Sequence, residues 1–259
     1  MAATALNPEA FVDFKLKSIH ALTPNTSKFV FELPEHQTLG MTVASCVVTK
    51  FINDEGKPVI RPYTPTSNDD VKGSFDFIIK RYDAGVMSAH IHSLKVGDTL
   101  AVKGPMSKYP LQLNQHKNVV MIAGGTGITP MLQLVNGIFN SKGEDTTQVH
   151  LVYANVSSQD IIFKDELDEL VKKHPGQFKL TYVIDRAEDG WNGEVGYITA
   201  DLIKKHIPGV QTEVEKVFVC GPPPMMVAVS GGKGPNFTQG EVEGTLKELG
   251  FTSDKVFKF

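Results

Sequence analysis

The sequence predicts two domains, an all-β half followed by an α/β half with a parallel sheet. The chain has 259 residues, which is enough for two domains that each bury a core. In the first part, short apolar runs and period-two patterns alternate with Pro, Asn and Gly. In the second part, apolar strands, glycine turns and helical patterns follow one another. We place the boundary near residue 115, which gives domains of residues 1–115 and 116–259.

The all-β half is predicted from apolar runs between residues 11 and 104. They lie at residues 14–16, 29–33, 45–48, 75–79 and 100–102. Their length and alternation indicate an antiparallel barrel or sandwich. Residues 86–94 instead carry apolar side chains at a helical spacing. We expect this helix to cap one end of the barrel.

The α/β half follows a polar stretch at residues 114–117 that has no apolar period. Strands are predicted at residues 119–123, 149–153, 179–184 and 216–220. Helices are predicted up to about residue 139 and over residues 163–171. Strands that alternate with helices form a parallel sheet through right-handed crossovers.

Composition argues against several functions. A net charge of −3 gives no basic field, so we expect no nucleic-acid partner. Two cysteines without a C-x-x-C motif indicate neither a disulfide framework nor a metal site. His90 and His92 are two positions apart on the predicted helix, so they point to different faces and cannot share a metal. We expect both histidines to be exposed and the protein to hold no metal.

No apolar stretch approaches the ~18–20 residues that cross a bilayer. The first residues also lack the features of a signal or transit peptide. We therefore expect the targeting segment to be absent from this chain.

A glycine-rich turn at residues 124–130 follows a predicted strand and opens a helix. Glycines allow close approach to a phosphate, and the free N–H groups at a helix start favour an anion. The spacing departs from G-x-G-x-x-G because Pro130 occupies the third glycine position. A purely structural turn is about equally consistent with this pattern.

The run Arg61-Pro62-Tyr63-Thr64 lies in the all-β half. Its guanidinium can bind a phosphate bidentately, and the phenol and hydroxyl can contact a flat ring system. The alternative is an edge strand broken by prolines, with Arg61 in a surface ion pair. Taken alone, this motif favours the alternative.

The segment Gly85-Val86-Met87-Ser88 enters the predicted helix of the first half. Its N–H groups lie at a helix start and can bind an anion. Ordinary helix capping is the alternative, and it is favoured for this motif alone.

Two further features end predicted strands of the second half. Cys220 precedes Gly221 and three prolines, and Asp185 precedes Arg186. Ligands of open α/β sheets bind at the carboxyl ends of the strands, where an acidic residue commonly accepts hydrogen bonds from a ribose. The alternative for Cys220 is a buried small hydrophobe.

Together and in this order, the motifs R-x-Y-[ST], G-x-x-S, G-G-T-G-I-T-P-M and C-G-P-P-P-M resemble those of the ferredoxin reductase superfamily, and within it the NADH-cytochrome b5 reductases. The resemblance covers nearly the whole chain, and residues 103–110 and 239–259 are similar to the fungal-type mitochondrial members. It implies a six-stranded antiparallel FAD-binding barrel followed by a Rossmann-like parallel α/β domain that binds NADH. The loop after Gly104 departs from the microsomal members.

The resemblance implies roles for individual residues. Arg61 would hold the FAD pyrophosphate, Tyr63 the ribityl chain and ring, and Thr64 the region of the flavin N5. Cys220 would orient the nicotinamide, and Thr64, Lys80 and Cys220 form the implied catalytic set. The other implied FAD-binding residues are Pro62, Ile78, Lys80, Tyr82, Val86, Met87 and Ser88. Thr126 and Thr129 would lie between the two cofactors. The other implied cofactor-binding residues of the second half are Gly124, Gly125, Gly127, Pro130, Asp185, Cys220, Gly221, Pro222 and Phe259.

The resemblance also implies a haem protein as electron acceptor, first of all cytochrome b5. It implies a monomer of mitochondrial location, in the outer membrane or intermembrane space, attached to a membrane only through an N-terminal anchor that this chain lacks. Endoplasmic reticulum or cytosol is the alternative location. Alternative functions are the flavin domain of a larger enzyme similar to nitrate reductases, and a nucleotide-binding sensor without catalysis.

Overall fold

The computed structural model describes residues 3–141 and 143–259, with no account of the Asn236 side chain. The chain divides into two compact units, Met1–Leu111 and Gln112–Phe259. The division falls four residues before position 115. Among the described residues, no helix has both the length and the apolar character needed to cross a bilayer.

Unit 1 is a six-stranded antiparallel sheet with one helix, α1 (Val86–Ser93). Its strands are β1 (Val12–Thr23), β2 (Thr26–Glu32), β3 (Ser45–Ile52), β4 (Pro58–Tyr63), β5 (Ser74–Lys80) and β6 (Thr99–Ser107). They pair in the order β4-β3-β6-β1-β2-β5. The antiparallel fold predicted for this half is therefore confirmed.

The two edge strands of unit 1 approach each other just beyond β4. The Thr66 N–H donates to the Asp76 carbonyl of β5 at 2.9 Å, so the sheet curves back on itself as a barrel. Phenylalanines from β1, β2 and β5 fill the interior, and Phe31 and Phe75 stack with ring centroids 5.4 Å apart. Met87 and Ile91 join this core from α1, which confirms that the helix caps the barrel.

The expectation that His90 and His92 are exposed is wrong. Both are half-buried, because α1 lies against the barrel and its two sides contact different strands. The His90 ring stacks on Phe51 of β3 with centroids 3.8 Å apart. The His92 Nε2 lies 2.9 Å from the Ile79 carbonyl oxygen of β5.

Unit 2 is a parallel sheet of six strands. The strands are β7 (Asn118–Gly124), β8 (Gln148–Asn155), β9 (Phe178–Ile184), β10 (Glu194–Val195), β11 (Lys216–Cys220) and β12 (Val256–Lys258). Their order is β10-β9-β8-β7-β11-β12. The helices are α2 (Ile128–Phe139), α3 (Lys164–Lys173), α4 (Ala200–His206), α5 (Val210–Glu213), α6 (Pro223–Ser230) and α7 (Gly244–Glu248), with 3₁₀ turns at Gly125–Gly127, Ser158–Asp160 and Pro235–Phe237.

The parallel sheet of unit 2 brings the carboxyl ends of its central strands to one edge. Ala123 of β7 pairs with both Tyr153 of β8 and Cys220 of β11. Asn155, the last residue of β8, pairs with Ile184 of β9. The predicted parallel α/β fold is confirmed, and this edge carries the glycine turn, Cys220 and Asp185.

Candidate functional site

The Arg61 motif begins on β4, which is an edge strand. Pro62 is tolerated there because an edge strand pairs on one side only. Arg61 and Pro62 are exposed, while Tyr63 and Thr64 are half-buried. The Arg61 Nη1 donates to the Ile60 carbonyl at 2.7 Å. Within the described residues this bond replaces the surface ion pair of the alternative interpretation, so the guanidinium keeps donors for an anion.

The Tyr63 ring packs beside Phe77 in the barrel, with centroids 5.9 Å apart. Burial raises its pKa to about 12, partly offset by the positive charge of Arg61, while Tyr82 acts in the raising direction. The phenol therefore stays neutral at physiological pH and remains a hydrogen-bond donor. Arg61 and Tyr82 are thus both close enough to Tyr63 to influence its ionisation.

Three further predicted residues lie at the end of β5 or just beyond it, and their exposure increases along the chain. Ile78 is buried, Lys80 is half-buried, and Tyr82 just beyond the strand is 42% exposed. The side chains along this strand end thus pass from the barrel core to the surface.

The segment between Tyr82 and α1 forms a tight turn that leads into the helix. The Ser88 hydroxyl accepts from the Tyr82 N–H at 3.3 Å and donates to the Gly85 carbonyl at 3.0 Å. A Cβ on Gly85 would overlap the Ser88 hydroxyl and lie 3.0 Å from the Tyr82 Cβ, so a side chain at position 85 would displace Ser88 from these two bonds. No side chain caps α1, which leaves its first-turn N–H groups to a ligand. Val86 is exposed there, whereas Met87 and Ser88 are buried.

In unit 2, the glycine turn and the loop after Cys220 are in direct backbone contact. β7 leads through the 3₁₀ turn Gly125–Gly127 into α2, which no side chain caps. A Cβ on Gly127 would lie 2.6 Å from the Cys220 carbonyl carbon and 2.8 Å from the Gly221 nitrogen. Only glycine permits this approach.

The remaining predicted residues of these two loops surround that contact. Thr126 is half-buried, and Thr129 and Pro130 are buried in the first turn of α2. Gly221 and Pro222 are half-buried and precede α6, which begins with prolines. The structure thus brings the two sequence motifs of this unit into one site.

Cys220 is a partly buried free thiol at the end of β11. Burial raises its pKa to about 12, and Lys233 offsets this only in part. The thiol therefore stays protonated at physiological pH, and a nucleophilic role would need the thiolate.

Asp185 directly follows β9 and its side chain is exposed. Its N–H donates to the Asn155 carbonyl at 3.2 Å, which fixes it at the same sheet edge as the glycine turn. Tyr197, which the sequence analysis did not single out, lies near the end of β9 as well. Tyr197 is 82% exposed and follows Gly196, whose N–H donates to the Ile184 carbonyl at 2.8 Å. No motif marks this tyrosine, because only the short strand β10 brings it to the end of β9.

The C-terminal residues lie beside β11, on the side of that strand away from β7. The Phe259 N–H donates to the Val219 carbonyl at 2.9 Å, and the half-buried ring lies 5.0 Å from that of Phe257 between centroids. Lys258 is buried, and its ammonium donates to the carbonyls of Gly232 and Glu241 at 3.0 and 2.7 Å. Lys258 thus fixes the segment after α6 that includes Lys233, another contact the sequence did not predict.

Comparison with known proteins defines the class. Residues 13–110 match the family model described as oxidoreductase FAD-binding domain, and residues 121–231 match the oxidoreductase NAD-binding domain. The protein is therefore a flavin- and NAD-dependent oxidoreductase with one domain for each cofactor.

Similar proteins define the family more closely. The chain is 48% identical over 258 residues to NADH-cytochrome b5 reductase 2 of Yarrowia lipolytica, covering 99% of this chain and 88% of that protein. It is 48% identical to an NADH-cytochrome b5 reductase-like protein of Arabidopsis thaliana, covering 99% and 79%. The cytochrome b5 reductase domain of Ulva prolifera nitrate reductase matches with a TM-score of 0.82 at 30% identity, covering 99% and 100%. The chain belongs to the NADH-cytochrome b5 reductase family.

Proposed function

We propose that this protein takes a hydride from NADH onto FAD and passes single electrons to a haem protein, first of all cytochrome b5. The observation that carries the proposal is the contact between Gly127 and the Cys220 loop, since it builds a nucleotide turn against a residue suited to orienting a nicotinamide. The relatives named as NADH-cytochrome b5 reductases support the acceptor.

The residues of unit 1 fit the binding of FAD. Arg61 supplies a guanidinium for the pyrophosphate, and the uncapped start of α1 supplies N–H donors to the same group. Tyr63 keeps a neutral phenol for the ribityl chain or ring, and Thr64 follows at the end of β4. When bound, FAD supplies the conversion between two-electron and one-electron transfer.

The residues of unit 2 fit the binding and orientation of NADH. The glycine turn offers main-chain donors at the start of α2, while Thr129 and Cys220 flank it. Asp185 offers a carboxylate to the hydroxyls of the adenine-side ribose, and the exposed Tyr197 ring offers a flat surface near the same strand end. These residues bind and orient, and the thiol of Cys220 remains protonated.

An anaerobic titration tests the proposal. The purified protein should be yellow, and NADH should bleach the flavin absorbance. Added oxidised cytochrome b5 should then be reduced. A protein that binds NADH without bleaching would be a nucleotide sensor, and one that reduces ferricyanide but not cytochrome b5 would have another acceptor.

We expect a preference for NADH over NADPH of at least about tenfold in kcat/KM, because the Asp185 carboxylate would repel a 2′-phosphate. Asp185→Ser should reduce this preference. Asp189→Ser is the matched control, since Asp189 is an exposed acid in the same loop. Equal kcat/KM for the two nucleotides in the unmodified protein would overturn the assignment. A higher kcat/KM for NADPH would overturn it too, and would indicate that Arg186 attracts the 2′-phosphate.

We expect Cys220→Ser to keep FAD and the fold while slowing flavin reduction by about 10- to 100-fold through lost alignment. The thiol is protonated below its pKa of about 12. The reduction rate should therefore show no thiol ionisation between about pH 6 and 9. Stopped-flow flavin reduction across this range measures both effects. An unchanged rate in the variant would assign Cys220 to packing, and complete loss of reduction with normal nucleotide binding would indicate thiol chemistry.

We also propose a monomer, a mitochondrial location and membrane attachment through an N-terminal anchor. The similarity of residues 103–110 and 239–259 to fungal-type mitochondrial members supports the location. Light scattering tests the oligomeric state, and fractionation of the cells that produce the protein tests the location and the membrane attachment.

A further inference from the structure

Glu188 occupies a main-chain donor at the carboxyl edge of the parallel sheet. The Ser158 N–H, at the start of the 3₁₀ turn that follows β8, donates to both carboxylate oxygens of Glu188 at 3.1 and 3.3 Å. The Ser157 hydroxyl, which lies at the capping position of this turn, instead donates to the Asp160 carboxylate at 2.6 Å. The first N–H group of the turn is therefore held by an acid from a different loop.

This contact lies beside Asp185, the residue proposed to bind the adenine-side ribose, so this step rests on the proposed function. The Asp185 N–H donates to the carbonyls of Asn155 and Val156 at 3.2 and 3.3 Å. Val156 is two residues before Ser158, and Glu188 is three residues after Asp185. Both acids are thus tied to the carboxyl end of β8.

The 2′-phosphate distinguishes NADPH from NADH at this ribose. A main-chain N–H group makes a strong, charge-assisted hydrogen bond to an oxyanion, and Ser158 carries such a group close to Asp185. Glu188 fills this donor with a negative charge, which denies it to a phosphate and also repels one. Arg186 lies between the two acids in the sequence and acts in the opposite direction.

We propose that Glu188 is a second specificity-determining residue, which excludes NADPH by holding its carboxylate on the Ser158 N–H. Asp185 acts on the ribose hydroxyls, whereas Glu188 acts on the donor that a 2′-phosphate would use. NADH carries no group for this donor. Glu188 therefore discriminates between the two nucleotides without contributing to the binding of NADH.

Two variants of Glu188 separate its charge from its hydrogen bond. Glu188→Gln keeps an acceptor for the Ser158 N–H and removes the charge, whereas Glu188→Ala also frees the N–H. In the FAD-loaded protein, the Kd for 2′-phospho-ADP-ribose should fall about threefold in Glu188→Gln and about tenfold in Glu188→Ala. The Kd for ADP-ribose should change by less than about twofold in both variants. Asp189→Asn is the matched control, because Asp189 is an exposed acid in the same loop.

Ser158→Pro removes the donor and leaves every charge in place. The backbone of Ser157 is extended, with φ −142° and ψ 169°, which is the conformation that a residue before proline adopts. Proline also suits the first position of a helical turn, so we expect this variant to fold with an unchanged thermal midpoint. Added to Glu188→Ala, it should cancel most of the gained affinity for 2′-phospho-ADP-ribose. An equal gain with and without the proline would show that the Ser158 N–H does not bind the phosphate, which would overturn the proposal.

Three further outcomes have distinct meanings. An unchanged Kd for 2′-phospho-ADP-ribose in Glu188→Ala, or the same decrease in Asp189→Asn, would overturn the proposal. A comparable loss of affinity for ADP-ribose and 2′-phospho-ADP-ribose in Glu188→Ala would also overturn it, because Glu188 would then only shape the loop. If the unmodified protein fails to bind ADP-ribose and NADH fails to bleach its flavin, the proposed function itself is wrong.

Discussion

Gly127→Ala should reduce kcat/KM for NADH by at least about 100-fold while leaving FAD bound. The new Cβ would lie 2.6 Å from the Cys220 carbonyl carbon and 2.8 Å from the Gly221 nitrogen. Both are main-chain atoms, so no side-chain rotation relieves the clash. The turn and the Cys220 loop must separate, which displaces the groups proposed to orient the nicotinamide.

Stopped-flow flavin reduction and ADP-ribose binding measure the effect of Gly127→Ala. Gly176→Ala is the matched control, because Gly176 lies in the same unit and a Cβ there meets nothing within 4 Å. FAD content should stay normal in both variants, since the FAD-binding domain model matches residues 13–110. A rate near that of the unmodified protein would mean that the contact between the two loops does not position the nucleotide.

The sequence was sufficient for the long elements because their periodicity extends over many residues. The helix predicted up to about residue 139 ends at Phe139, and the strand predicted at residues 216–220 is β11. β10 and β12 have two and three residues, too few to produce a period. The alternative interpretation of the Arg61 run was an edge strand broken by prolines, and β4 is indeed an edge strand, although Arg61 forms no ion pair among the described residues.

The site was predictable only where local chemistry marks it. The glycine turn carries its own signal, but its contact with the Cys220 loop depends on β7 and β11 being neighbours in the sheet. Tyr197 belongs to no motif, and its significance follows from its exposure at the end of β9. His90 and His92 were misplaced because periodicity does not show how closely a capping helix lies on its barrel.

Arg61→Ala should weaken FAD binding by about 10- to 100-fold, the range expected for loss of charge-assisted hydrogen bonds to a phosphate. The guanidinium lies exposed on β4 beside Tyr63 and keeps donors beyond its bond to the Ile60 carbonyl. Arg61→Lys should restore only part of the affinity, because an ammonium cannot bind a phosphate bidentately.

Flavin-to-protein ratios after gel filtration, and thermal midpoints with and without added FAD, measure the loss. Lys57→Ala is the matched control, because Lys57 is an exposed cation between the paired strands β3 and β4 and contacts Glu55. With FAD in excess, the KM for NADH should change little in Arg61→Ala, since the proposed partner of Arg61 is the flavin pyrophosphate. Full flavin occupancy together with a raised KM for NADH would instead assign Arg61 to the nucleotide.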